Sequence, residues 1–275
     1  MNIKKYISTL GSFENKKVIL LGGTSGIGLE LLKHLTSLKV PVILLGIEKE
    51  LLPKLKEEYH LVDTIYYDQS NNESIDNAID ELTSKYDDFT TIVMNAGVLG
   101  VNKVVDNGYP GTIGINYIGN RYFIDTISKK LKHNIRFVIA GSFVAGFHLN
   151  KKIDIKNPKL KTFTQYNVSK IYLEAYFYNL YNKNKYSNLE YVLTEPGLTN
   201  GGIIRHFNIV VRFLGKHFLK WFFHSTSKAS LNLLTGISDK AKNGDFIAPR
   251  GLFTLSGYPK IKKLPKRRRK EYLFK

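Results

Sequence analysis

Tyr166 and Lys170 stand four residues apart in Tyr166-Asn167-Val168-Ser169-Lys170. On a helix that spacing puts both on one face, about 6 Å apart along the axis. An unperturbed phenol titrates at about 10, and a neighbouring ammonium lowers that value by favouring the phenolate. A phenol so placed can give a proton to a carbonyl oxygen or take one from an alcohol while hydride moves to or from a nicotinamide. Ser142, in Ile139-Ala140-Gly141-Ser142, offers a hydroxyl that can hold the same oxygen, and Lys170 can also reach a cofactor ribose. Far upstream, Gly22-Gly23-Thr24-Ser25-Gly26-Ile27-Gly28 follows the apolar run Val18-Ile19-Leu20-Leu21. Its glycines let the backbone approach a pyrophosphate, whose charge then sits at the positive end of the next helix. Each signal alone is common. In this order they point to a bound dinucleotide and a phenol set up as a proton donor.

Elements of alternating type must position these groups. Strands are predicted at 18–21, 40–45, 64–67, 91–95, 136–140, 190–194 and 245–248. Helical patterns lie between them at 27–38, 49–59, 72–85, 112–132, 164–182 and 227–240. Such alternation predicts right-handed βαβ units and an α/β fold, a Rossmann-type doubly wound parallel sheet covered on both faces. Ser142 then lies at the carboxyl end of a strand, where open α/β sheets bind ligands. There is no internal repeat and no linker, so a single domain is expected. Residues 1–16 read as an N-terminal extension, 17–259 as the catalytic domain with a substrate lid at 200–225, and 260–275 as a basic tail.

With 275 residues, 43% of them hydrophobic, the chain can bury a large core. The absence of cysteine excludes disulfides, thiolate metal ligands and a cysteine nucleophile. No apolar h-region follows Met1-Asn2-Ile3-Lys4-Lys5, so no secretory leader is expected. The stretch 203–223 is apolar but carries Arg205, His206, Arg212, Lys216, His217 and Lys220, which argues against a bilayer span.

Several motifs in order make the chain resemble a short-chain dehydrogenase/reductase from about residue 17 to 265. The glycine turn has that family's spacing, with Leu21 where Thr is usual. Met94-Asn95-Ala96-Gly97 resembles the family's Asn-Asn-Ala-Gly, with Met94 replacing the first Asn. Asn116, Ser142, Tyr166 and Lys170 match the catalytic tetrad, and Pro196-Gly197 matches the turn after the sixth strand. The resemblance implies that Asn116 continues a proton path through water. It also implies a cofactor site of Gly22, Thr24, Ser25, Gly26, Ile27, Gly28, Gly46, Lys49, Asp68, Asn95, Ala96, Gly97, Tyr166, Lys170, Pro196, Gly197 and Thr199. Asp68 resembles the residue that touches the adenine amino group. Ser142 and Tyr166 are 24 positions apart, longer than the commonest form of the family. That interval, like the run from Phe246 to Pro259, resembles the branch of retinol dehydrogenases and light-dependent protochlorophyllide reductases, and implies a bulky apolar carbonyl or alcohol.

Cofactor choice turns on the end of the second strand. NAD sites place a carboxylate there for the ribose 2′-hydroxyl, which repels a 2′-phosphate. Gly46 occupies that position and Ile47 the next, where NADP users often carry Arg. Lys49 can reach back to a phosphate and Glu48 to a ribose, so the balance falls to NADP with NAD left open. A catalytically silent dinucleotide-binding sensor or membrane partner is the alternative reading. A sugar-nucleotide epimerase fits the glycine spacing and the chain length less well.

The formal net charge is +18, much of it in Lys260, Lys262, Lys263, Lys266-Arg267-Arg268-Arg269-Lys270 and Lys275. A solvated tail and attraction to anionic lipid both account for such a run. Nucleic-acid binding has no motif beyond charge and is not expected. The lid pattern of aromatic and basic residues suits a membrane surface as well as a pocket cover. His206, His217 and His224 lack a carboxylate cluster at ligand spacing, so no metal site is expected. In a bacterial setting the expected location is cytoplasmic, with peripheral contact at the inner membrane surface. Tyr172, Tyr176, Phe177 and Tyr181 look like an apolar surplus, and family members often pair these helices, so a homodimer is expected.

Overall fold

The structure, a computed structural model, describes residues 2–146, 153–199, 224–251 and 254–269. Most of the expected lid, and residues 147–152 of the long interval before Tyr166, lie outside the described residues.

Strands that are apolar along their whole length must be covered on both faces. Every side chain of β1, Val18–Leu21, is buried. Ile19 and Leu21 join one core and Val18 and Leu20 the other, the period-two alternation of a pleated strand. Each such side chain contributes roughly 1.5–3 kcal/mol on burial. The remaining parallel strands are β2 Val42–Gly46, β3 Val62–Tyr66, β4 Thr91–Met94, β5 Ile135–Ala140, β6 Leu189–Thr194 and β7 Asp245–Pro249. A further strand, β8 Pro259–Lys263, adds antiparallel to β7. The order is β3-β2-β1-β4-β5-β6-β7-β8, so the sheet reverses direction of growth between β1 and β4 and opens a crevice there. This is the single-domain, doubly wound α/β sheet expected, with one antiparallel strand added.

The α-helices among the described residues are α1 Ile3–Ile7, α2 Gly26–Ser37, α3 Leu51–Glu58, α4 Asn72–Lys85, α5 Gly111–Ile113, α6 Asn120–Ile127, α7 Thr162–Lys183, α8 Thr226–Ile237 and α9 Lys266–Arg269. Local chemistry sets some ends. The Asn71 side chain accepts from Ser74 N at the start of α4, and Ser225 does the same for Lys228 N at the start of α8.

Four expectations change. The helix read at 112–132 is three pieces, because a π-turn, Gly114–Gly119, separates α5 from α6. Where it joins α6, Asn120 N donates to Tyr117 O, and the carbonyl of Asn116 accepts from the Asn120 side chain at 2.8 Å. The residues read as an N-terminal extension pack against the domain: Tyr6, Leu10 and Phe13 are buried in the core on the α8 side. Tyr6 OH bonds Thr235 Oγ1 at 2.9 Å and its ring packs on Tyr258. The segment read as a tail begins inside the sheet and turns inward at Arg268, which is 3% exposed. Finally, Tyr172, Tyr176 and Phe177 are buried within the subunit, and only Tyr181 of that set stays exposed. The apolar surplus behind the expected homodimer is therefore spent on the chain's own core. Replacing Tyr6 by Ala is expected to cost about 3 kcal/mol by cavity formation, visible as a lower urea midpoint.

Candidate active site

The crevice is walled by two loops at the carboxyl ends of β1 and β4. Gly22 has φ +79°, and a Cβ there would lie 2.7 Å from Ala96 Cα. A Cβ on Gly28 would fall on the Gly22 carbonyl oxygen, far inside contact distance. Asn95 Nδ2 donates to that oxygen at 2.7 Å and ties the two loops together. Helix α2 then starts behind Ser25, whose side chain makes no capping bond, and Ser25 and Gly26 are exposed. The N-terminal amides of α2 lack a side-chain cap, in a cradle that a side chain at Gly22 or Gly28 would fill. That donor set suits a pyrophosphate.

The chemistry-bearing side chains converge beside this cradle. Tyr166, on α7, donates from its hydroxyl to Ser142 Oγ at 3.4 Å. Lys170, one turn on, is buried and donates from Nζ to Ala140 O at 3.0 Å. A Cβ on Gly97 would stand 3.4 Å from both Lys170 Nζ and Asn116 Oδ1, so the loop after β4 runs against both. Asn116 spends its side-chain amide on that loop. It accepts from Val98 N and donates to Val98 O, both at 2.8 Å, and donates to Ser169 Oγ at 3.2 Å. The π-turn, a feature frequent at functional sites, is what carries Asn116.

The expected depression of the phenol is not what this arrangement produces. Burial pushes the Tyr166 hydroxyl up, the Glu174 carboxylate adds to that, and only the bond to Ser142 works against it. Burial also pulls Lys170 down to about 8, with Glu174 resisting. The lysine that was to stabilise a phenolate is weakened as an acid–base partner by the same burial, and its ammonium is directed at a backbone carbonyl.

Pro196, Gly197 and Thr199 follow β6. Gly197 has φ +77°, and Leu198 N donates to Leu255 O at 2.7 Å. His224 closes this loop: its Nε2 lies 2.7 Å from Pro196 O, and burial lowers its pKa. It is a packing histidine, while His206 and His217 lie outside the described residues. At the end of β2 Gly46 is buried, and a Cβ there would crowd Thr24 Cγ2 at 3.1 Å and Leu52 Cδ2 at 3.3 Å. Lys49 Nζ sits 4.5 Å over the Tyr66 ring, with Ile47 exposed beside it. Asp68 Oδ1 accepts from Ser70 N and Ser70 Oγ at 2.8 and 2.7 Å, which fixes the loop after β3.

Sequence reading missed a second layer. Gln69 donates to Ile115 O at 2.6 Å and holds the π-turn. Glu174 accepts from Ser142 N at 3.0 Å. Glu195 and Arg268 are buried beside it. Glu174 was within reach, since it continues the four-residue spacing of Tyr166 and Lys170 on an otherwise apolar helix face. Arg268 had no such signal inside its basic run.

A family model described as short chain dehydrogenase matches residues 16–147. Human polyprenol dehydrogenase is 26% identical over 231 residues, which cover 77% of this chain and 69% of that protein. The polyprenol dehydrogenase of Danio rerio is 33% identical over 115 residues, 39% of this chain and 36% of that one. Among solved structures, an uncharacterized protein from Mycobacterium paratuberculosis superposes with a TM-score of 0.74 at 16% identity, covering 97% of this chain and 92% of its own. A short chain dehydrogenase from Bacillus anthracis gives 0.62 at 18% identity, covering 82% and 90%.

Proposed function

The chain belongs to the short-chain dehydrogenase/reductase family, and on that premise we propose that it interconverts the alcohol and carbonyl forms of a long apolar substrate, with Tyr166 moving the proton. The observation that carries this reading is the meeting of Tyr166 OH and Ser142 Oγ beside the glycine cradle. A nicotinamide dinucleotide, when bound, supplies or accepts the hydride. The turn from Gly22 to Gly28, with Thr24, Ser25 and Ile27, would hold its pyrophosphate, and Lys170 its ribose. Asn95, Ala96 and Gly97 would form the wall, with Pro196, Gly197 and Thr199 at the nicotinamide. Ser142 orients the substrate oxygen, and Tyr166 delivers a proton to it or removes one. The raised phenol favours delivery at neutral pH, the direction of carbonyl reduction. The relatives named for polyprenol and the long interval between Ser142 and Tyr166 both support a long, lipid-like substrate. No helix among the described residues is long and apolar enough to cross a membrane. We place the reaction at an anionic lipid surface because the net charge of +18 favours attraction to it.

The test is a cofactor-oxidation screen, NADPH beside NADH, over polyprenals, retinoid-like aldehydes, quinones and short aldehydes. Turnover confined to short polar aldehydes would remove the substrate class. Cofactor binding with no turnover anywhere would leave the silent dinucleotide-binding protein instead.

We favour NADP over NAD because Gly46 puts no carboxylate at the end of β2 and Lys49 stands close by on the exposed rim. Lys49→Ala should weaken NADPH about fivefold, the share of about 1 kcal/mol that an exposed ion pair supplies, and leave NADH unchanged. Equal loss for both cofactors in a titration would remove Lys49 from the 2′-phosphate.

A further inference from the structure

Behind the site lies an ion cluster whose parts come from three distant stretches of chain. Glu174 is on α7, one turn beyond Lys170, and Glu195 directly follows β6. Arg268 is on α9, and all three are at most 3% exposed. Arg268 Nη1 donates to both oxygens of Glu174 at 3.2 Å, and Nη2 donates to Glu195 Oε2. Nη2 also reaches Phe143 O at 3.5 Å, and the guanidinium lies 4.9 Å from the Phe246 ring centroid. A planar fork with five donors can bridge two carboxylates, a carbonyl and an aromatic face at once, which a lysine cannot.

The carboxylates in turn hold both arms of the site. Glu174 Oε1 accepts from Ser142 N at 3.0 Å, and only a glycine at position 141 leaves room for it there. Glu195 Oε1 accepts from Thr254 Oγ1, and Glu195 N donates to Ile247 O at 2.7 Å, just before the Pro196-Gly197 turn. Each carboxylate would be costly to bury unpaired, and one guanidinium serves both.

We propose that Arg268 is a positioning residue for this reaction, holding Ser142 through Glu174 and the Pro196-Gly197 turn through Glu195. The inference rests on the reading of Ser142 and Tyr166 as the substrate-handling pair. Among the described residues, the ionisable groups of this cluster and its neighbours are Tyr166, Lys170, Glu174, Glu195 and Arg268. Without the guanidinium, Glu174 stands as an uncompensated carboxylate near Tyr166, where its charge already opposes ionisation of the phenol.

Arg268→Gln and Arg268→Lys test this in the full chain by two independent readouts. The first is amide hydrogen exchange, which needs neither cofactor nor substrate. Ser142 N–H should exchange about tenfold faster in both variants, while the amide of Leu44 in β2 keeps its wild-type rate. The second is the pH profile of alcohol oxidation, whose limb for Tyr166 should move about one unit toward alkaline pH in Arg268→Gln. Arg268→Lys keeps the charge, so its profile should stay in place while kcat falls. Unchanged exchange at Ser142 in either folded variant would overturn the proposal. So would a folded Arg268→Gln protein with the wild-type profile. If Arg268→Gln does not fold, Arg268→Lys decides alone by exchange. A wild-type protein that never turns over would instead refute the oxidoreductase reading, and the exchange result would still stand for the structural coupling.

Discussion

Tyr166→Phe is expected to lower kcat by roughly 10²–10⁴-fold, the usual share of a positioned acid or base, while cofactor affinity stays within about twofold. The ring is buried and keeps its packing, and only one 3.4 Å hydrogen bond, to Ser142, is lost with the hydroxyl. The pH behaviour should separate this loss from a folding defect. Because burial raises the phenol, alcohol oxidation in the wild type needs alkaline pH to populate the base, and carbonyl reduction is favoured below it. Lys170, titrating at about 8, adds a limb where its ammonium is discharged. In the Phe variant the residual rate should lose the phenol limb and keep the lysine limb. A variant retaining more than about a third of wild-type turnover on a verified substrate would remove Tyr166 from proton transfer.

Gly28→Ala is expected to be nearly as damaging, but at the binding step. Its methyl would meet the Gly22 carbonyl oxygen and Asn95 Nδ2, groups that form the cradle itself. Backbone cannot yield as a flexible side chain can, so α2 must move away from the turn. Overpacking of this kind costs about 1–3 kcal/mol. Here it should appear as a loss of dinucleotide affinity of about thirtyfold with a smaller loss of stability. Gly26→Ala is the control, because nothing lies within 4 Å of its Cβ position while its φ is +56°. That variant should pay about 1–2 kcal/mol of backbone strain, read in the urea midpoint. Calorimetric titration of NADPH decides the matter, and equal affinities for wild type and Gly28→Ala would show that the turn does not hold the pyrophosphate.

The strands, α2, α4 and α7 were legible because their signals are local. β1 is an unbroken apolar run bounded by a glycine turn, and its ends came out as read. Tyr166 and Lys170 were legible as a pair because a four-residue spacing puts both on one helix face, and Ser142 because it follows a strand, whereas Asn116 came only with the family resemblance. What escaped is non-local. Lys266 to Arg269 reads as solvated charge until two buried carboxylates from α7 and the end of β6 are known to face it. Nothing near Ile3–Ile7 announces that Tyr6 will meet Thr235. The π-turn at Gly114–Gly119 turns on a side chain competing for a carbonyl, a choice that helical periodicity cannot register. The direction of the Tyr166 shift was misread because spacing reveals a neighbouring ammonium but not the depth of burial, which here is the larger influence.

Among the described residues, β8 borders the sheet. A border strand offers a row of unpaired amides and carbonyls to any other extended chain. On β8 that row belongs to Pro259-Lys260-Ile261-Lys262-Lys263, with Lys260 and Lys263 exposed and a proline at its start. A second copy approaching in register would set ammonium against ammonium and find one amide missing. Charge of this kind on a border strand disfavours strand-to-strand stacking. Neutralising the lysines of β8 should leave the fold intact and shift the protein toward aggregation.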